Sequence, residues 1–300
     1  MTSSVPQHFS VDVVREAFGT PLAGYSIVLE AWRRGLEVRL LDGQMRRFFI
    51  SSENRRIKFD KARPSTTTAT AMRVVKSKSM TSARLRGAGV PVPANAVIDP
   101  ANEDAVERLV MEASALGYPV VLKPLIGSMG RDVYTNIQTE ADLLEIYRYL
   151  NRAGQKKQKY ILEEHFAGED YRVLVIGDRV TGAVLRRPAN VIGDGEHTIA
   201  ELISLKNKAR SCNPHLSSKR IKPDHELRQF ISRQGLNIES VPDSGTLVML
   251  RGKANATQGG DSIDRTDEVP EALKAAAVRA VAAIPGLFMA GVDIIYDEKR

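Results

Sequence analysis

The sequence is poor in several features that would place it in other protein classes. It contains one cysteine, Cys212, in 300 residues, which excludes an internal disulfide and a metal site built from several cysteines. No apolar run approaches the roughly 20 residues that a membrane-spanning helix needs. The opening segment MTSSVPQHFSVDVV lacks the charged and apolar regions of a secretory signal. These absences favour a protein of a reducing cytoplasm, with Cys212 as an ordinary surface thiol.

Aromatic residues are also scarce, at 6% of the chain, although the formal net charge is +7. Such a charge would suit a nucleic-acid partner, but the cations are spread along the chain, with local concentrations at Arg55–Lys61, Arg73–Lys78 and Lys206–Arg233. We find no interleaved basic and aromatic pattern, no zinc-finger spacing and no basic heptad region. Nucleic acid is therefore not expected as a partner, and the basic residues equally suit an enzyme that binds small anions.

A lysine at the end of a short strand gives the first functional signal. The β-branched run Val120–Lys123 is predicted to be a strand that delivers Lys123 into a loop with Gly127, Ser128 and Gly130. A mobile ammonium and bare backbone N–H groups can surround the oxygens of a triphosphate. By itself, however, such a loop is more often a solvated turn.

A second strand, Tyr160–Leu162, leads directly into Glu163 and Glu164, with Asp170 close behind. Carboxylate oxygens can accept hydrogen bonds from the amine and hydroxyl groups at the other end of a nucleotide. Taken alone, these acids would be read as a charged rim. The order and strand context of the two motifs together predict a site that grips ATP at both ends.

The hydrophobic periodicity predicts an α/β protein whose lobes contain antiparallel sheets. A helix, a strand and a hairpin make up the N-terminal part, and β texture dominates after Glu164. The last strand, Gly291–Tyr296, carries one acid, Asp293, which its apolar neighbours predict to be buried. We expect an N-terminal lobe at 1–72, a small lobe at 73–160 and a large lobe at 161–300. The predicted helices are Ala23–Arg34, Lys76–Ala88, Ala101–Gly117 (capped by Asp99 or Asn102), Glu140–Asn151, Thr198–Asn207 and Glu271–Ile284.

Blocks of sequence that run from about Lys76 to Asp293 resemble the ATP-grasp ligases. The blocks are KSKSMTSARLRGAGVPVP, YPVVLKP, ILEEHFAGEDYRVLVIG, RRPANVIGDGEHTIAELISLKN, QGLNIESVP, LRGKANATQGGDSIDRTDEV and AGVDII. Those with VIGDGEHTI and GGDSIDRTDEV resemble the branch shared by cyanophycin synthetase and bifunctional glutathione synthetase. The resemblance implies an ATP-grasp fold, in which two α/β lobes clamp ATP, with an N-terminal pre-ATP-grasp lobe in front.

The resemblance also implies which residues hold the phosphates of ATP. Lys78 and Lys123 match the two lysines that reach the phosphates from the smaller lobe. Gly127, Ser128 and Gly130 match the loop that folds over them. This part of the resemblance agrees with the phosphate motif read directly from the residues.

At the base end of ATP, the resemblance implies that Glu163 accepts a hydrogen bond from the adenine amine. The backbone of Glu164 and Phe166 would face the ring, and Asp170 would hold the ribose hydroxyls.

The remaining implied residues concern catalysis and metal binding. Arg172 and Arg186, on consecutive strands of a hairpin, would meet the γ-phosphate and carboxylate oxygens, since a guanidinium matches both groups. Arg186 or Arg251 would stabilise the developing oxyanion, and Asn255 falls in the same stretch of the family pattern as Arg251. Asp293 matches the first Mg²⁺-binding carboxylate. The alternative for Arg172 and Arg186 is a surface pair with neighbouring acids.

The sequence departs from the family pattern in three places. Asp132 stands where close relatives usually carry glycine, and the relatives' asparagine-serine-threonine stretch is Asn255-Ala256-Thr257-Gln258 here, which puts its hydroxyl contacts in doubt. The second and third metal ligands of the family, a Glu and an Asn, have no counterpart before Arg300. We therefore expect either a piece of a longer enzyme or an incomplete metal site.

The leading hypothesis is an ATP- and Mg²⁺-dependent ligase that joins a carboxylate to an amine through an acyl phosphate. Its partners would be ATP and small carboxylate and amine substrates, with neither membrane nor nucleic acid among them, and a homodimer is compatible with the sequence. The alternatives are a protein of the same fold that binds ATP without catalysis and, less favoured, a basic nucleic-acid-binding protein.

Overall fold

The computed structural model describes residues 22–126, 132–152 and 158–298. It contains two compact units. The first unit combines the described residues up to Thr67 with Val184–Asp264, and the second combines Thr68–Ala183 with the described residues from Arg265 onward. The predicted lobes 1–72, 73–160 and 161–300 follow the order of the sequence instead, and they stay a prediction.

The N-terminal part of the first unit is one helix followed by an antiparallel sheet of four strands in the order β1-β2-β3-β4. Phe48 is fully buried, and its ring stacks on Phe59 of the paired strand with centroids 5.2 Å apart. This confirms the predicted helix, strand and hairpin. The elements are α1 (Leu22–Arg33), β1 (Glu37–Leu40), β2 (Arg47–Ser52), β3 (Arg55–Asp60) and β4 (Arg63–Pro64).

The rest of the first unit surrounds an apolar core. The helix predicted at Thr198–Asn207 is present, and Thr198 caps it through a capping box with Glu201. The core residues include Val191, Ile199, Ile203, Ile221, Leu227, Ile231 and Leu250. The elements are β11 (Asn190–Ile192), α6 (Ile199–Ser211), α7 (His225–Ser232), β12 (Leu247–Met249) and β13 (Asp261–Asp264). Strands β11 and β12 pair antiparallel, and β13 pairs antiparallel with Val184–Arg187.

The second unit contains an antiparallel sheet in the order β5-β8-β6-β7. Two amphipathic helices contribute to its core, and the second of them buries Leu143, Tyr147 and Leu150 at helical spacing. Ile98, Leu109, Leu122 and Leu162 fill the same core. The elements are β5 (Asn95–Ile98), α4 (Ala105–Leu116), β6 (Val120–Pro124), β7 (Tyr134–Ile137), α5 (Glu140–Leu150) and β8 (Tyr160–Glu164).

The second unit also contains an antiparallel pair formed by strands β9 (Glu169–Ile176) and β14 (Met289–Tyr296). The pairing runs from Tyr296 opposite Glu169 to Met289 opposite Ile176. Helix α8 (Glu271–Ala282) packs against both strands. Strand β10 (Arg179–Arg187) follows β9 after the turn at Gly177 and Asp178.

Two local predictions were wrong, and one helix was not predicted. The helix expected at Lys76–Ala88 is present as α3 (Lys78–Gly87), and a separate helix, α2 (Ala69–Lys76), precedes it, because Ser77 adopts an extended conformation that ends α2 and caps α3. Helix α4 begins at Ala105 and has no side-chain cap, because the Asp99 carboxylate instead accepts from the Ala101 N–H in the preceding turn. Asp293 is about half exposed rather than buried, since it lies on the open face of β14.

Other elements without a counterpart in the sequence pattern are β4, β5, β7, β11, α7 and β13, none of them longer than eight residues. Cys212 is exposed, as predicted. Within the described ranges, no helix combines the length and the apolar character that crossing a membrane requires.

Candidate functional site

The register of strands β6 and β8 brings the lysine of the first motif to the glutamate of the second. Val121 lies opposite Glu163, and Lys123 lies opposite Ile161. Side chains two positions apart share one face of a strand, so Lys123 and Glu163 are diagonal neighbours on the same face. The Lys123 ammonium donates to the Glu163 carboxylate in an ion pair. Glu163 is buried, with 8% of its surface exposed.

Lys78 adds a second ammonium to this pair. It is the first residue of α3, and its Nζ donates to the Pro124 carbonyl oxygen at the end of β6, at 2.8 Å. The pKa of Lys78 is lowered, first because the ammonium is partly buried and second because of the Lys123 charge, while the Glu163 carboxylate opposes the shift. Two ammonium groups and one carboxylate leave a net positive charge at this place, which suits a polyanion such as a chain of phosphates.

The exit of β8 carries the residues predicted at the base end of a nucleotide. Phe166 is 37% exposed, so its ring has a face that a planar base could cover. The Glu164 backbone N–H already donates to the Ala94 carbonyl oxygen at 3.0 Å, which leaves no donor at that position. Asp170 lies one residue into β9 and opposite Ile295.

Arg172 and Asp293 face each other across β9 and β14. The Arg172 Nη1 donates to Asp293 Oδ1 at 2.8 Å, and both side chains are about half exposed. The surface ion pair considered as the alternative for Arg172 is therefore present. Gly291 makes room for it, because a Cβ there would lie 2.7–2.9 Å from the Arg172 Nε, Cζ and Nη2 atoms.

Asp293 does not form a metal site with its described neighbours. Across the ranges that the structure describes, no three His, Cys, Asp or Glu side chains group in a way that could hold a metal ion. Mg²⁺ can bind one or two carboxylates together with phosphate oxygens. The Asp293 carboxylate, however, already accepts a hydrogen bond from the Arg172 guanidinium. The described donors thus do not fit a Mg²⁺ ion on their own.

Arg251, in the first unit, is engaged by two carboxylates. It is buried, and its guanidinium donates to Asp224 Oδ2 at 2.6 Å and to Glu226 Oε2 at 2.7 Å. Asp224 is also the N-cap of α7, where it accepts from the Leu227 N–H. Arg251 therefore ties the segment after β12 to the start of α7, and the oxyanion contact expected of it stays a prediction.

The other two residues predicted in the first unit lie in ordinary local structure. Asn255 caps a short 3₁₀ turn by accepting from the Thr257 N–H at 3.0 Å and the Thr257 hydroxyl at 2.8 Å. Arg186 lies on β10 opposite Ser262.

The loop residues Gly127, Ser128 and Gly130 lie outside the described residues. Asp132, just after them, adopts a left-handed conformation with φ of 53°. That conformation favours glycine, which agrees with the glycine that the family resemblance implies at this position.

The sequence patterns missed a buried polar network around Asp261. Its carboxylate accepts from Lys206 at 2.6 Å and from Arg210 at 3.0 Å, and Arg210 is 3% exposed. Arg210 also donates to the Gly260 carbonyl oxygen, at 3.3 Å, and Asn190 donates to Asp261 at 2.9 Å. The only signal in the sequence was the acid directly after Gly259-Gly260. The network is an anchor for that turn.

Residues 75–196 match the family model described as a RimK-like ATP-grasp domain. This stretch includes α3, β6 and β8, which carry Lys78, Lys123 and Glu163 respectively. It also includes strands β9 and β10. The chain carries a RimK-like ATP-grasp domain.

Two curated proteins and one solved structure illustrate the relationship of this ATP-grasp chain to others. The cyanophycin synthetase of Crocosphaera subtropica is 37% identical over 228 residues, which are 75% of this chain and 25% of that protein. The glutathione biosynthesis bifunctional protein of Clostridium perfringens is 31% identical over 283 residues, 90% of this chain and 34% of that protein. The crystal structure of a bifunctional glutathione synthetase from Pasteurella multocida matches with a TM-score of 0.67 at 28% identity, over 94% of this chain and 38% of that one.

These matches confirm the ATP-grasp fold and the predicted resemblance to the two synthetases. This ATP-grasp chain spans only about a quarter to a third of the length of those curated relatives. The roles of individual site residues stay predictions. Lys78, Lys123, Glu163, Glu164, Phe166, Asp170, Arg172 and Arg186 lie inside the matched stretch, and Arg251, Asn255 and Asp293 lie beyond it.

Proposed function

We propose that the protein is an ATP-dependent ligase that joins a carboxylate to an amine on amino acid or peptide substrates. The carboxylate would take the γ-phosphoryl group of bound ATP to form an acyl phosphate and release ADP. The amine would then displace inorganic phosphate, with loss of a proton, to form the amide. The similarity to cyanophycin synthetase and to bifunctional glutathione synthetase supports this class of reaction.

The observation that carries the proposal is the cluster of Lys78, Lys123 and Glu163. Two strands bring Lys123 and Glu163, which are 40 residues apart in sequence, into contact. Lys78 of α3 adds a second ammonium to the buried carboxylate, and all three residues lie in the stretch that matches the ATP-grasp domain. Lys78 is held at the end of β6 by its bond to Pro124. An excess of one positive charge at a partly buried place is stabilised by phosphate oxygens, because opposite charges interact more strongly where water is excluded.

The chain's own residues would position the reactants rather than attack them. Lys78 and Lys123 would hold phosphate oxygens, and Phe166 would cover the base beside Glu163. Arg172 would orient the carboxylate against the phosphoryl group. Alignment of this kind can account for about 7–11 kcal/mol of a reaction barrier, so no side-chain nucleophile is required.

The test is ADP release by the Lys123→Ala variant in a screen of amino acids and short peptides. We expect loss of substrate-dependent ADP release, because the variant lacks a phosphate-binding ammonium. Lys159→Ala is the matched control, since Lys159 forms an ion pair with Asp99 at 2.7 Å just before β8. Unchanged ADP release in Lys123→Ala, with Lys159→Ala also unchanged, would show that the lysine assignment is wrong.

A second candidate is an ATP-binding protein without turnover. The engagement of Asp293 by Arg172 and the absence of a metal-holding group among the described residues favour it. Measuring ATP affinity and ADP formation on the same preparation separates the two. Tight ATP binding without ADP formation in any amino-acid mixture supports the second candidate.

A further inference from the structure

We propose that the Lys123–Glu163 ion pair is a specificity device that makes the two ends of ATP bind together. Lys123 and Glu163 bind each other in the structure, and each is also proposed to bind one end of ATP. The base can bind the Glu163 carboxylate, and the phosphates can bind the Lys123 ammonium, only when this ion pair is broken. This inference rests on the proposed binding of ATP at the site.

The burial of Glu163 is the first reason that an exchange is needed. With 8% of its surface exposed, its carboxylate cannot turn to bulk water, and a buried charge without a partner is costly. Glu163 lies on β8 between β5 and β6, opposite Asn95 on one side and Val121 on the other. The carboxylate must therefore receive a new donor when Lys123 leaves, and an exocyclic amine is such a donor.

The position of Lys78 is the second reason. Its pKa responds to the charges of both Lys123 and Glu163, so the three groups share one electrostatic environment. Lys78 is bonded to the Pro124 carbonyl oxygen and stays at the end of β6. While the ion pair is intact, the Glu163 carboxylate cancels one of the two lysine charges. When Glu163 binds the base instead, the full charges of Lys78 and Lys123 face the phosphates. Parting the pair thus strengthens the phosphate site at the moment when phosphates arrive.

This arrangement penalises ligands that offer only one end of ATP. Adenosine can replace Lys123 at Glu163, but it leaves the Lys123 ammonium, which is 22% exposed, without its carboxylate. Inorganic tripolyphosphate can replace Glu163 at Lys123, but it leaves the buried Glu163 carboxylate without a hydrogen-bond donor. A base with a carbonyl oxygen in place of the amine fails at Glu163 for the same reason, because two acceptors would then face each other.

The experiment measures the affinities of adenosine, inorganic tripolyphosphate and ATP by calorimetry for the wild-type chain and for Lys123→Gln and Glu163→Gln. We expect Lys123→Gln to bind adenosine about tenfold more tightly than wild type, equivalent to about 1.4 kcal/mol, because Glu163 no longer has to leave a lysine. Glu163→Gln should bind tripolyphosphate more tightly by a similar factor. Both variants should bind ATP more weakly, since each has lost one contact.

Lys159→Gln is the control, because it removes the same charge from an exposed pair next to the same strand, and it should change none of the affinities. Lys123→Met, a second neutral variant, should repeat the gain for adenosine, and thermal unfolding checks that each variant is folded. If wild type binds ATP but neither Lys123 variant gains affinity for adenosine, Lys123 and the base do not compete for the Glu163 carboxylate. The proposed exchange of partners is then wrong, while the proposed function stands. If the folded wild-type chain binds no ATP, both are wrong.

Discussion

Replacing Gly291 by alanine should separate the position of Arg172 from the stability of the fold. The added Cβ would lie 2.7 Å from the Arg172 Nε, whereas ordinary contact begins at 3.4 Å, so the guanidinium must move by about 0.7 Å. A shift of that size away from β14 lengthens the 2.8 Å bond to Asp293 beyond hydrogen-bonding distance. The atoms in the way belong to the end of a flexible side chain, so the backbone does not have to move.

The change in stability should be small for two reasons. Arg172 and Asp293 are 50% and 53% exposed, and an ion pair with such access to water contributes about 0–1 kcal/mol. Gly291 does not have a positive φ, so alanine fits the strand and gains about 0.4–1 kcal/mol by restricting the unfolded chain. The two effects oppose each other, and the free energy of unfolding should stay within about 1 kcal/mol of wild type.

Urea unfolding measures the stability, and the Arg172 Nε–Hε resonance in an NMR spectrum reports on the ion pair. We expect an almost unchanged unfolding midpoint and a resonance moved toward that of a solvated arginine. Gly182→Ala is the matched control on β10, because its Cβ would meet only Thr266 Oγ1, at 3.9 Å. It should leave the Arg172 resonance where it is.

Two results would refute this reasoning. An unchanged Arg172 resonance in Gly291→Ala would show that the guanidinium does not lie against the glycine. A loss of more than about 2 kcal/mol would show that the backbone, and not the side chain, gave way. If the resonance moves as expected, ATP affinity and ADP release in the same variant then report whether Arg172 takes part in function.

Two other predictions concern the first unit. His197 Nδ1 lies 2.7 Å from Asp194 Oδ2, and this hydrogen bond raises the pKa of His197 above its ordinary 6.5. The backbone N–H groups of His197 and Glu196 donate to Asp194 and lower the pKa of its carboxyl group to about 2. The stabilisation from His197 is therefore full below pH 6.5 and is lost as the pH rises through the raised pKa. An NMR titration should show that raised pKa, and Asp194→Asn should return it toward 6.5. Asp224→Ala removes both the N-cap of α7 and a partner of buried Arg251, and it should cost about 2–4 kcal/mol in urea unfolding. If Glu226→Gln, at the exposed partner of Arg251, lost as much unfolding free energy as Asp224→Ala, the double role of Asp224 would be contradicted.

Local features of the fold were predictable because local residues determine them. The amphipathic run at Glu140–Asn151 predicted a helix, Thr198 was expected to begin another, and the strand of the hairpin that carries Arg172 was expected as well. Boundaries were less predictable where a single residue decides between two conformations. Ser77 illustrates this, because its extended conformation separates the expected helix α3 from α2, a helix that the sequence pattern did not predict.

Side-chain partners in the candidate site could not be predicted in the same way. Arg172 and Asp293 are 121 residues apart in sequence, and only the register of β9 and β14 places one opposite the other. The apolar neighbours of Asp293 indicated burial, but the strand presents that face to solvent. Arg251 resembled a catalytic arginine by its motif, and its two carboxylate partners come from a helix that the sequence pattern did not predict.

The sequence by itself determined that a lysine and a glutamate end two strands in an order and spacing typical of an ATP site. It did so because strand propensity and charge are properties of short segments. Only the tertiary structure decided that Lys123 and Glu163 contact each other and that Lys78 lies within reach of both charges. The physical reason is that antiparallel register, set by the buried faces of β6 and β8, determines which distant side chains share one face.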